Sequence, residues 1–171
     1  MNRNNKSIVQ YFYAILVATF AIALVTAPAA AGEYAALDGV KQIKAVFDVS
    51  LGVPEKANGV FWAVKNVYED KSVRTLSKKP QVAVVFRGPA VKLVSTDRQD
   101  LKDFDEEWLD KFASTVRRMK KDGVTFEVCL YAVKTQRVDP ATIMPEVDKV
   151  SNGFISIIGY QAQGYSVVTV D

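Results

Sequence analysis

The sequence predicts a three-layer α/β domain with a mostly parallel sheet. Two observations support this prediction: segments with strand character alternate with segments of helical periodicity, and residues 81–86 form a continuous apolar run. Alternating strands and helices are typical of parallel sheets covered by helices, and a strand buried on both faces carries apolar residues without interruption. The chain has 171 residues, of which 49% are hydrophobic and 24% are charged, and this balance fits one globular domain.

The first strand is predicted over residues 43–49, and the helix that follows has Pro54 at its first position. The apolar residues of this helix recur at helical spacing and are Ala57, Val60, Phe61, Val64, Val67 and Tyr68. Residues 81–86 form the second strand, which the turn at residues 87–89 ends. A strand, a helix and a second strand therefore open the domain.

The helix predicted over residues 106–121 has the most regular pattern in the chain. Its apolar stripe consists of Trp108, Leu109, Phe112, Val116 and Met119. Asp105 is predicted to cap its N-terminus, and Gly123 is predicted to end it. Acidic residues occupy the first turns and basic residues the last, an order that complements the helix dipole.

The third strand is predicted over residues 124–130, with Cys129 near its C-terminal end. Residues 154–163 are compatible with a helix or a strand, because isoleucine also favours β-structure. Gly164 is a typical residue after a helix C-terminus and favours the helix. Residues 165–170 then form the last strand.

Residues 1–31 have the features of an export signal. The basic residues Arg3 and Lys6 precede an apolar run over residues 8–25, and small residues follow this run. Cleavage is predicted, and the alternative is an uncleaved anchor, since a spanning helix needs about 20 apolar residues. The sequence therefore predicts a periplasmic or secreted domain over residues 32–171, with membrane contact only through an uncleaved signal.

The chain has no His and one Cys. This composition excludes Ser-His-Asp and Cys-His catalysis, an intrachain disulfide and metal sites built from His or several Cys. The glycine motifs of nucleotide-binding loops are absent as well, so no metal or cofactor is predicted. Without Arg3 and Lys6, 20 basic residues stand against 19 acidic ones, and the two signs are interleaved. The sequence therefore predicts no nucleic-acid binding.

Functional sites in open parallel sheets form at the carboxyl ends of the strands. The residues predicted to meet at this edge are Ser50, Leu51, Gly52, Arg87, Gly88, Pro89, Cys129, Tyr131 and Lys134. Positive charge on Arg87 and Lys134 near the Cys129 sulfur would favour the nucleophilic thiolate. The alternative is that Cys129 is an inert core residue, as many free cysteines are.

Four stretches of the mature chain occur in a recognisable order. They are residues 43–49 (IKAVFDV), 82–93 (VAVVFRGPAVKL), 121–129 (KDGVTFEVC), and 138–145 followed by 161–165 (QAQGY). In this order the chain resembles the DsrE/DsrF-like sulfur-relay family, in its secreted single-domain branch. The resemblance covers nearly the whole mature chain, although Arg87 stands where many relatives have His.

The resemblance implies a three-layer α/β/α domain with a parallel sheet of about five strands, assembled as a trimer or hexamer. It implies that Cys129 carries sulfane sulfur as a persulfide, with Arg87, Gly88, Tyr131 and Lys134 around it. A sulfur donor or acceptor protein is then a partner, and no cofactor is needed. The alternative is a non-catalytic oligomeric binding or scaffold protein that retains this fold.

Overall fold

The computed structural model describes residues 34–77, 79, 81–98 and 103–171. The chain divides into two compact units, Met1–Ala36 and Leu37–Asp171, and the second contains the sheet. The export signal predicted for residues 1–31 lies outside the described residues. Within the described ranges, no helix is both long enough and apolar enough to cross a membrane.

The described residues form one five-stranded sheet in which each strand pairs parallel to its neighbours. The strands are β1 (Lys44–Val49), β2 (Gln81–Phe86), β3 (Thr125–Cys129), β4 (Asp148–Val150) and β5 (Ser166–Val170). Their order across the sheet is β4-β3-β2-β1-β5. The predicted α/β class with a parallel sheet is therefore confirmed.

Helices cover both faces of the sheet. They are α1 (Pro54–Glu69), α2 (Lys71–Leu76), α3 (Asp103–Lys121), α4 (Leu130–Thr135) and α5 (Gly153–Ala162). Buried residues of α1 and α3 belong to the main core on one face. On the other face, Ile157 of α5 packs on Val46, Ala83 and Val85. Successive residues of a strand point to opposite faces, so β1 contributes Phe47 to the first core and Val46 to the second.

Four phenylalanines form the centre of the main core: Phe61, Phe86, Phe112 and Phe126, all fully buried. The ring of Phe86 lies 5.8 Å from that of Phe61 and 6.1 Å from those of Phe112 and Phe126, measured between centroids. These stacked and edge-to-face contacts stabilise the domain beyond the burial of their area. They also hold the end of β2, where Arg87 follows.

Several observed bounds differ from the predicted ones, and two of the differences change where a singled-out residue lies. Helix α3 begins at Asp103, so Asp105 lies inside its first turn and does not cap it. Acidic side chains are favourable there because they face the positive end of the helix dipole. Strand β3 ends at Cys129, and Leu130 already begins α4. Tyr131 and Lys134, which were predicted only to follow the strand, therefore lie on a helix.

The C-terminal third resolves the choice between helix and strand. Residues 153–162 form α5, and Gly164 follows with a φ of 86°, the left-handed conformation typical of a residue after a helix. The predicted helix is thus confirmed. Strand β4, which the sequence pattern did not show, lies at the edge of the sheet with Asp148 and Lys149 exposed. Its three residues are too few and too polar to produce a recognisable strand pattern.

Candidate functional site

The register of the sheet aligns the ends of three neighbouring strands. Val49 of β1 pairs with Phe86 of β2, and Phe86 pairs with Val128 of β3. The next residues are Arg87 after β2 and Cys129 at the end of β3. The backbone N–H of Arg87 donates to the Val49 carbonyl at 2.8 Å, which extends the pairing past the end of the strand. Arg87 and Cys129 consequently lie at the same carboxyl edge.

A pocket of about 330 Å³ opens at this edge. It is lined by Arg87, Gly88, Cys129, Tyr131, Ala132, Thr135, Asn152 and Phe154. Four of the residues singled out from the sequence, Arg87, Gly88, Cys129 and Tyr131, therefore line one pocket. Cys129 is a free thiol with 5% of its surface exposed, and it lines this pocket.

Other predicted residues lie elsewhere. Lys134 lines a separate hollow and does not line the Cys129 pocket. The reason is helical geometry, because about 100° separates successive residues and Lys134 falls on a different stripe of α4 from Tyr131. The Ser50 hydroxyl donates to Asp171 at 2.8 Å, and Ser50 lies near Gly88 without lining the pocket itself. Gly52 lies against Pro89, whose Cβ would be 2.5 Å from any Cβ added there.

Arg87 is held by Asp48 of β1. Its Nη2 donates to Asp48 Oδ2 at 2.7 Å, and its Nε donates to Oδ1 of the same carboxylate. The pair is mostly shielded, with 19% of the Arg87 side chain and 14% of the Asp48 side chain exposed. This two-pronged geometry fixes the guanidinium and balances its charge.

The environment raises the pKa of Arg87 above its usual value. The hydrogen bond to Asp48 is the main cause, burial opposes it, and the charges of Asp48, Cys129 and Asp171 add smaller increases. Arg87 therefore stays charged throughout the pH range in which proteins fold. The pocket contains a permanent cation whose counter-ion is already in place.

The start of α5 closes the other side of the pocket. Asn152 caps this helix, since its Oδ1 accepts the Phe154 N–H at 3.0 Å. The Phe154 ring covers the Arg87 guanidinium, with 4.5 Å between Cζ and the ring centroid. This cation–π contact lies between an exposed phenylalanine and the side chain beside the thiol. The entrance of the pocket is thus aromatic on the α5 side.

A half-buried tyrosine hydrogen bond connects α5 to the sheet. The Tyr160 hydroxyl donates to Glu127 Oε1 at 2.7 Å. Burial, and to a smaller extent this hydrogen bond and the carboxylate charge, raise the pKa of Tyr160. The hydroxyl therefore keeps its proton at neutral pH and continues to donate. This contact helps to keep the first turn of α5 against the Cys129 pocket.

Sequence reasoning missed Asp48, Asn152 and Phe154. Asp48 did leave a signal, because it is the only acidic residue within the apolar strand segment 43–49. A charge in a buried strand needs a partner, and Arg87 occupies the end of the neighbouring strand. Asn152 and Phe154 left no comparable signal, since only the packing of α5 brings them to the pocket. Within the described residues, no cluster of ligating side chains suited to a metal ion is present.

A larger residue at Gly153 is expected to fit only if neighbouring side chains shift. A Cβ added there would lie 3.0 Å from Cys129 Cβ, 3.1 Å from Val85 Cγ1 and 3.2 Å from Arg87 Cγ. We expect Gly153→Ala to lower the free energy of unfolding by about 1–2 kcal/mol through overpacking. We also expect slower alkylation of Cys129, because relief of the contact shifts side chains that line the pocket. Urea denaturation and thiol labelling measure the two effects.

Gly159→Ala in the same helix is the matched control. No atom outside its own helical turn lies within 4 Å of the added Cβ. The free energy of unfolding should stay constant or rise by up to about 1 kcal/mol, because Ala favours helices over Gly. Equal losses in both variants would show that tight packing at Gly153 is not the cause.

Comparison with known proteins identifies the family. The model of the DsrE/DsrF-like family matches residues 24–170. The chain belongs to this family. This is a sulfur-relay-type family, and the resemblance seen in the sequence predicted it. A search of the curated proteins found no match.

Solved structures of two proteins share the fold of this DsrE/DsrF-like chain. The first is MTH1491 from Methanobacterium thermoautotrophicum, described as a protein of unknown function. It is 18% identical with a TM-score of 0.58, and the match covers 75% of this chain and 99% of that one. The second is YchN from E. coli, 9% identical with a TM-score of 0.50, covering 74% of this chain and 99% of that one. At these identities the likeness shows the fold alone.

Proposed function

We propose that this protein carries sulfane sulfur as a persulfide on Cys129. The observation that carries the proposal is the position of Cys129, a free thiol that lines a pocket of about 330 Å³ at the carboxyl edge of the sheet. Membership of a sulfur-relay-type family supports the same chemistry. Such carriage needs one thiol and neither a His nor a metal, which fits the composition.

The transfer is a displacement at sulfur. The Cys129 thiolate attacks the terminal sulfur of a donor persulfide, R–S–SH, and a new S–S bond forms. The S–S bond of the donor breaks, and its electron pair leaves with the donor as R–S⁻. Cys129 then carries –S–SH, and passes the outer sulfur to an acceptor thiolate by the same reaction. Sulfur moves without any external oxidant or reductant.

The pocket suits the storage of this group. Arg87 stays charged and close to Cys129, so it stabilises an anionic sulfur even though Asp48 balances part of its field. The low exposure of Cys129 shields the persulfide from oxidants, which attack exposed thiolates first. Protection matters in the proposed location, the periplasm or the exterior, to which the signal of residues 1–31 directs the chain. A donor or acceptor protein and a homo-oligomer, trimeric or hexameric, complete the proposal.

The test is mass spectrometry after anaerobic incubation with polysulfide. We expect a mass increase of about 32 Da, one sulfur atom, on the peptide that contains Cys129, and its removal by dithiothreitol. Cys129→Ser is the control and should show no adduct. A wild-type protein that remains unmodified under these conditions contradicts the proposal.

The second candidate function is a non-catalytic oligomeric scaffold, and the burial of Cys129 favours it. Besides Phe154, the α5 residues Ile155 and Ile158 are largely exposed and suit an interface with another protein. This function requires an unreactive thiol. Labelling of the native protein with iodoacetamide separates the candidates, because rapid modification of Cys129 at neutral pH counts against a scaffold.

A further inference from the structure

A second hollow of about 620 Å³ lies beside the Cys129 pocket. Its apolar lining comes from Leu130, Val138 and Pro140, and three cations also line it: Lys134, Arg137 and Lys149. Asp139 is its one acidic lining residue among those described, and its Oδ1 already accepts the Ala141 N–H at 2.8 Å. The hollow therefore combines an apolar surface with an excess of positive charge.

The three cations are not neutralised by the protein. None of Lys134, Arg137 and Lys149 forms an ion pair with another residue in the described parts of the chain. By contrast, Lys120 pairs with Asp148, the neighbour of Lys149, at 3.3 Å. Three unpaired cations in one place give a local positive potential on a domain that is nearly neutral as a whole. The chemistry that complements them is an anion.

Arg137 also has an unusual backbone conformation. Its φ of 57° is in the left-handed region, directly after the end of α4, where glycine is the common residue. The Arg137 N–H donates to the Lys134 carbonyl at 3.1 Å, which fixes this conformation. The chain therefore keeps a long cationic side chain at a position whose backbone favours glycine, and that choice points to a use for the charge.

Helix α4 joins the hollow to the Cys129 pocket. Leu130 and Lys134, four residues apart, lie on the stripe that lines the hollow. Tyr131 and Thr135, also four residues apart, lie on the next stripe and line the pocket. The two stripes lie side by side on one helix about 9 Å long, so a small ligand can contact both.

We propose that the cationic hollow selects the sulfur donor, and that this donor is a short peptide persulfide bearing carboxylates. The proposal rests on the function proposed above for Cys129. The sulfur end of the donor enters the Cys129 pocket, and its carboxylates face Lys134, Arg137 and Lys149. The bonds made and broken are those of the displacement already given, and the thiolate R–S⁻ leaves with the peptide. The cations position the donor and take no part in the bond changes.

Two alkylating reagents of different charge test the selection without any sulfur transfer. Iodoacetate and iodoacetamide form the same kind of bond to Cys129, but only iodoacetate is an anion. The rate constants for both are measured at low salt in the wild type and in the variant Lys134→Gln, Arg137→Gln, Lys149→Gln. We expect the ratio of the iodoacetate rate to the iodoacetamide rate to fall about three- to fivefold in the variant, because three positive charges that attract the anionic reagent are lost. High salt should remove most of this difference.

The matched control removes three cations at the opposite edge of the sheet. Lys71, Arg74 and Lys121 are exposed and lie in or at the end of helices that lead to the amino ends of β2 and β3. The variant Lys71→Gln, Arg74→Gln, Lys121→Gln has the same net charge as the first variant, and its rate ratio should match the wild type. An unchanged ratio in the first variant, or an equal fall in both, overturns the proposal. Failure of both reagents to label the native protein also overturns it, since no donor then reaches the sulfur.

A sulfur-transfer experiment separates this inference from the function on which it rests. Glutathione persulfide is the donor with carboxylates, and the persulfide of N-acetylcysteine amide is the donor without them. We expect the variant of the hollow to take sulfur from the first donor about threefold more slowly and from the second at the wild-type rate. Equal slowing with both donors overturns the selection by charge. Absence of the adduct from wild-type Cys129 with either donor overturns the persulfide function instead, whatever the alkylation ratio shows.

Discussion

Phe86→Ala is expected to lower the free energy of unfolding by about 3–5 kcal/mol. The ring of Phe86 is fully buried and contacts three other buried rings, so its removal leaves a cavity that the rigid sheet cannot fill. A loss of this size is a large part of the stability of an ordinary domain. Urea denaturation followed by circular dichroism measures it.

Phe154→Ala is the control on the same chain. The side chain of Phe154 is 58% exposed and loses mainly its contact with Arg87. We expect its removal to change the free energy of unfolding by less than about 1 kcal/mol. Comparable losses in the two variants would contradict the assignment of the main core to the phenylalanine cluster.

The strands that carry the site were predictable from the sequence. β1, β2 and β3 were predicted within one residue of their observed ends, because strands buried on both faces leave long apolar runs. β4 and α4 were not predicted. The first has three residues and lies at an exposed edge, and the second has six residues, too few for two full turns of periodicity.

The site was predictable only as far as the parallel sheet determines it. Arg87 and Cys129 follow neighbouring strands, so their meeting depends on the strand order alone. Lys134 lines a different hollow from Cys129, because the direction of its side chain depends on α4, a helix that the sequence did not reveal. Phe154 belongs to α5, which packs on the face of the sheet opposite the main core. The sequence around Phe154 carries no pattern that would predict this packing.

Asp48→Asn is expected to lower the free energy of unfolding and to raise the reactivity of Cys129. The change leaves Arg87 without a balancing charge in a site where both side chains are mostly shielded. Removal of one partner of a fully buried pair costs 3–5 kcal/mol, and partial exposure reduces the expected loss here to about 2–3 kcal/mol. At the same time the uncompensated guanidinium favours the anionic sulfur of Cys129. We therefore expect iodoacetamide to alkylate Cys129 about two- to fivefold faster at neutral pH.

Asp148→Asn provides the comparison, because its pair with Lys120 is exposed, with 35% of the Lys120 side chain and 65% of the Asp148 side chain accessible. Its loss should lower the free energy of unfolding by less than about 1 kcal/mol and leave the labelling rate unchanged.

The sign of the labelling change in Asp48→Asn decides between two roles for the pair of Arg87 and Asp48. Faster labelling means that the Asp48 carboxylate weakens the electrostatic effect of Arg87 on the Cys129 thiol. Slower labelling would mean that the pair acts by holding the pocket open, and would contradict the balance of charge argued for Arg87.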